Sequence, residues 1–122
     1  MANLRSLCRN VLEPVRAHFQ RAIVVHSGYR CRAVNTAVGG SESSQHCKGE
    51  AVDFHVSGFS VYEVASWMKE NIDDDQLMLE NFIPGIKSSG WVHCSFKGDN
   101  RDDERTKFKG SRKYYPGILL RP

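Results

Sequence analysis

Four short runs with strand character constrain this chain more than any other feature. Ile23, Val24 and Val25 are β-branched and read as a short buried strand ending at Ser27-Gly28. Residues 51–56 read as a second strand and 76–81 as a third, in which Gln76, Met78 and Glu80 share one face while Leu77 and Leu79 fill the core. In 91–96, Trp91, His93 and Ser95 share a face, and Val92, Cys94 and Phe96 turn inward. Helical periods accompany them. Leu4, Leu7, Cys8, Val11, Leu12, Val15 and Phe19 recur on one helical face, with Asn3 able to cap the start and Pro14 expected to kink or interrupt the helix. Ser60 followed by Glu63 forms a capping box ahead of Val61, Val64, Ala65 and Met68. Residues 32–38 suggest a short helix stopped by Gly39-Gly40, and 83–90, with Pro84, Gly85 and Gly90, a turn or loop. The expected class is α+β: two principal helices packed on a small, mostly antiparallel sheet. Residues 98–115 are highly charged and weakly periodic, and read as an exposed loop.

Composition bounds the function classes. A chain of 122 residues, 40% apolar and 25% charged, suits one ordered domain spanning 1–122. A net charge of +3 suits an anionic partner but falls far short of a nucleic-acid signature. No apolar run is long enough to span a bilayer, and 1–16 lacks the apolar core of a secretory signal. Cys8, Cys31, Cys47 and Cys94 show no C-x-x-C spacing. Four free thiols are the plain reading, although Cys31 and Cys47 flank one loop and could pair in an oxidising compartment.

The chemistry concentrates in residues 44–53, with the pattern S-x-H-x-x-G-x-A-x-D: Ser44, His46, Gly49, Ala51, Asp53. The seven-residue gap between His46 and Asp53 is not one helical face. A loop turning back at Gly49 could still bring both side chains to one point. His93 lies on a strand face beside Trp91. Two histidines and one carboxylate are a set that zinc favours in catalytic sites, with a position left open for water. Each histidine alone is ambiguous.

The pattern S-x-H-x-x-G-x-A-x-D followed by W-V-H-x-S resembles the zinc D-alanyl-D-alanine carboxypeptidase superfamily, which includes phage and bacterial peptidoglycan peptidases and the hedgehog amino-terminal domain. Ser27-Gly28-Tyr29-Arg30, then Asn35, Val38-Gly39-Gly40 and the run from Asp75 to Glu80, are similar to its small phage-type branch. The resemblance implies zinc held by His46, Asp53 and His93 on the open sheet face. It also implies Arg30 near a substrate carboxylate and Ser44 lining the pocket, against a surface salt bridge and a loop-stabilising hydroxyl as the plainer readings. One branch carries its general base three residues before the last ligand, where this chain has Gly90; other relatives place that glutamate on the preceding strand, which matches Glu80. Trp91 replaces a histidine of the hedgehog-type pattern. His55 is either a half-buried strand residue or a support near the metal; His18 and His26 carry no motif. The implied activity is zinc-dependent hydrolysis of peptidoglycan stem or cross-bridge peptides, of carboxypeptidase or endopeptidase type, in a lysin-like monomer released by a phage or exported by other means. The rivals are a non-catalytic zinc-containing cell-wall-binding or phage-tail module, and a thiol enzyme using Cys47.

Overall fold

Alternation along the central strands sets the architecture. In the computed structural model, which describes residues 2–41 and 44–122, strand β2 (Ala51–Val56) buries Val52, Phe54 and Val56. Strand β3 (Gln76–Phe82) buries Leu77 and Leu79, and β4 (Trp91–Ser95) buries Val92 and Cys94. With β1 (Ile23–Ser27), β5 (Asp103–Phe108) and β6 (Tyr115–Pro116) they form one six-stranded sheet in the order β1-β2-β4-β3-β5-β6. Every neighbouring pair is antiparallel except β3 and β5. The α+β expectation therefore holds.

The apolar face is covered by two helical segments. Helix α1 (Ala2–Leu7), a π turn (Cys8–Leu12) and α2 (Glu13–Phe19) run on from one another and contribute Leu7, Val11 and Val15. Pro14 lies in the first turn of α2, where a missing N–H costs least, and the interruption takes the form of the π turn just upstream. Asn3 does not cap the helix start. It sits inside α1, and its Nδ2 donates to the carbonyl of Lys48 at 2.8 Å, tying the helix to the turn that bears His46. Helix α4 (Val61–Asn71) contributes Val61, Val64, Ala65 and Met68 and begins with the expected box: Glu63 N–H donates to Ser60 Oγ at 3.1 Å, and Ser60 N–H to Glu63 Oε1 at 3.2 Å. A short helix α3 (Arg32–Ala37) precedes the site. Among the described residues no helix is long and apolar enough to cross a membrane.

The exposed loop expected at 98–115 is overturned by β5 and β6. Thr106 and Phe108 are buried, while the charged Arg105 and Lys107 are on the other side of the strand. Thr106 Oγ1 donates to Gly117 O at 2.7 Å and accepts from Leu119 N–H at 3.0 Å, so a polar residue occupies a core position without an unpaired group. Two buried side chains amid charges are too weak a period to read. Parallel pairing with β3 also leaves no hairpin signal.

Candidate metal centre

The face of the sheet opposite the helices is where the polar residues of β2, β3 and β4 gather. Asp53 on β2 and His93 on β4 are direct cross-strand partners, a register that holds two side chains about 5 Å apart at Cβ. His93 Nδ1 meets Asp53 Oδ1 at 2.8 Å. His46 arrives from a 3₁₀ turn (Gln45–Lys48) whose N-cap is Ser44, the hydroxyl accepting from His46 N–H at 3.2 Å. Gly49 ends that turn at φ 71°, in the left-handed region, which sends the chain back into β2 as the sequence suggested. A bulge in β1 moves the register from Val25 opposite Phe54 to Ser27 opposite Asp53. Beyond it, the Gly28 carbonyl accepts from His46 Nδ1 at 2.8 Å.

That last bond fixes the chemistry of the site. A carbonyl only accepts, so His46 Nδ1 carries the proton. In the neutral ring Nε2 is then a lone pair, and it faces Asp53 Oδ2 at 3.4 Å. Two acceptors stand opposed unless a proton on Nε2 or a metal cation lies between them. Burial alone would push the Asp53 carboxyl up, but the His46 and His93 rings facing it outweigh burial and hold it at about 2, so it is an anion at neutral pH. The donor atoms of His46, Asp53 and His93 lie within 4.8 Å of one another, and the set suits a three-ligand zinc site.

The group lines a cavity of about 570 Å³. Glu80 lines it too, with Met78 and Gln76 from the same face of β3; Met78 pairs with His93 and Glu80 with Trp91. Gly90, where one branch of the superfamily has a glutamate, has φ 73°, and a Cβ there would strike the backbone carbonyl of Glu80. A side chain is excluded at that position in this fold. Arg30 and Ser44 also line the cavity. Arg30 N–H donates to the His46 carbonyl at 3.0 Å, and its Nε is buried with no hydrogen-bond partner among the described residues.

The family model described as Peptidase M15 matches residues 2–95, most of the chain and all three candidate ligands. This chain belongs to the peptidase M15 family. That family comprises zinc-dependent D-alanyl-D-alanine carboxypeptidase-like metallopeptidases. No curated protein matches the sequence.

Two cavity residues of this M15 peptidase were not readable from its sequence. Tyr114, in the segment expected to be a solvated loop, donates its hydroxyl to Glu80 Oε2 at 3.3 Å. Burial, then the neighbouring Glu80 charge, pushes that phenol up to about 12, so it remains a donor. Arg101 is locked to Asp75 through Nε and Nη2, both at 2.8 Å, and Gln45 beside His46 donates to the same carboxylate at 2.8 Å. The Arg101 guanidinium is the main reason that the Asp75 carboxyl lies well below the usual carboxylate range. His55 stands apart from the ligands: its Nδ1 meets His26 Nε2 at 2.6 Å, and it lines a separate cleft with Phe59 and Lys87. His18 stacks on Trp67 at 4.1 Å. Cys94 faces the core, where burial raises its thiol, and all four cysteines are free thiols.

Proposed function

We propose that this chain hydrolyses peptide bonds in peptidoglycan stem or cross-bridge peptides, of D-alanyl-D-alanine carboxypeptidase or endopeptidase type, with zinc held by His46, Asp53 and His93. The observation that carries this reading is the shared cavity: a three-donor group, the Glu80 carboxylate held by the Tyr114 phenol, and the Arg30 side chain, whose buried Nε has no hydrogen-bond partner among the described residues, all line it. When bound, zinc supplies the Lewis acidity that polarises a scissile carbonyl and acidifies water. Glu80 takes the proton of the attacking water and returns it to the leaving amine. Tyr114 holds Glu80 in place through its phenol. Arg30 receives a substrate carboxylate, for which a planar guanidinium is suited, and Ser44 orients the peptide from the edge of the His46 turn. Net charge +3 favours approach to an anionic wall.

The test is digestion of purified peptidoglycan with mass analysis of the released peptides. Release of stem-peptide fragments that stops with a chelator and resumes with added zinc supports the reading. A protein that binds zinc and the wall yet releases nothing would make the chain a binding module instead.

A further inference from the structure

Away from the catalytic cavity, residues 73–75 are three consecutive aspartates with unequal surroundings. Asp73 Oδ2 accepts from Asn100 Nδ2 at 2.9 Å, and Asp75 takes Arg101 and Gln45. Asp74, between them, is 0% exposed, and neither of its carboxylate oxygens has a hydrogen-bond partner among the described residues. An unpaired buried carboxylate is among the costliest groups a fold can carry. Its surroundings make matters worse. One oxygen each from Asp74, Asp102 and Glu104 lie within 4.8 Å of one another. Burial first, then Asp102, Glu104, Asp73 and Asp75, push the Asp74 carboxyl up to about 7. Glu104 is raised as well, by burial and by Asp102 and Glu70, with Lys69 offsetting part of this.

We propose that Asp74, Asp102 and Glu104 bind a calcium ion. A bound dication would supply the partner both Asp74 oxygens lack and would neutralise the mutual repulsion of the three carboxylates. The donors are all oxygen, which selects a hard cation over zinc. Asp102 is exposed and Glu104 half-buried, so the ion has an entrance while Asp74 forms the floor. The site also has a defined place in the fold. Asp102 N–H donates to the Asp74 carbonyl at 3.2 Å, and Asp103 N–H to the Asp75 carbonyl at 3.0 Å. Calcium would clamp the start of β5 to the start of β3 one residue from Asp75, which anchors Arg101 and Gln45. This proposal does not depend on the catalytic reading.

The test is calorimetric titration of calcium chloride into the full chain carrying one equivalent of zinc, with thermal unfolding of the same samples. The expected result is one calcium per chain with Kd on the order of 10⁻⁵–10⁻³ M, and a Tm that climbs with calcium concentration. Asp102→Asn and Glu104→Gln, both at positions open to solvent, should weaken binding by about tenfold or more, since ligand charge sets affinity. Asp74→Asn should abolish it. His46→Ala should leave calcium binding unchanged. Absence of binding and of any Tm shift at millimolar calcium overturns the proposal, as does equal affinity in Asp102→Asn and Glu104→Gln.

Discussion

Glu80 is the side chain on which the catalytic reading turns. Glu80→Gln keeps the volume and the strand but cannot accept a proton. Activity should fall about 10²–10⁴-fold while zinc content and Tm stay near wild type; metal analysis, unfolding and peptide hydrolysis on one preparation check this. Zinc loss in this variant would make Glu80 a ligand. Tyr114→Phe removes only the 3.3 Å bond to Glu80. We expect kcat to drop about tenfold with KM little changed, and no further drop when the change is added to Glu80→Gln. The residues at this site differ in how readable they were. His46, Asp53 and His93 sit in an ordered pattern with fixed spacing. Glu80 was implied by the resemblance, through relatives that carry the glutamate on the preceding strand, and alternation only allowed it to face the site. Tyr114 and Arg101 carry no motif, and their place depends on a strand, β5, that local pattern does not reveal. His55 shares a strand with Asp53, yet its ring turns to His26, which alternation cannot foresee.

Among the elements, those with an internal period were readable: the central strands, α4 with its capping box, and the long amphipathic start. Each announces itself within about ten residues. What escaped needed a partner far away in sequence. Strand β5 takes its order from β3, and the bulge in β1 is visible only against β2. The link between β3 and β4 offers a direct test of how tightly an element constrains one residue. Gly90 adopts φ 73° against the Glu80 carbonyl. Gly90→Ala should cost about 1–3 kcal/mol from backbone strain, more if the contact cannot relax. Urea unfolding would show a lower midpoint with an unchanged m-value. Because the pressure falls on the backbone of Glu80, activity should fall by more than the stability loss alone predicts. Equal stability of Gly90→Ala and wild type would mean that the link tolerates a side chain, and the exclusion of a glutamate there would lose its basis.

Across the whole molecule the sheet divides labour, with an apolar face under the helices and a polar face carrying the cavity, and that division was implicit in the alternation of β3 and β4. The acidic cluster was not, because Asp74 and the pair Asp102 and Glu104 meet only when β5 lies parallel to β3. Its consequence is a stability profile with two opposed limbs. Asp75 is held below the usual aspartate value of about 3.9, so its contribution is full above that pH and is lost as pH falls through the folded value. Asp74 is shifted the other way, to about 7. Between about pH 4 and 7 the folded chain holds a proton there that the unfolded chain lacks, so stability declines as pH rises through that window. In calcium-free buffer Tm should therefore peak on the acid side of neutrality and fall in both directions. Asp74→Asn should flatten the upper limb and leave the lower one, and calcium should lift the upper limb in wild type alone. Calorimetric scans across the pH series, with and without calcium, read all three effects. A wild-type Tm that keeps rising up to neutral pH in calcium-free buffer would show that Asp74 is ionised and already partnered in the folded chain.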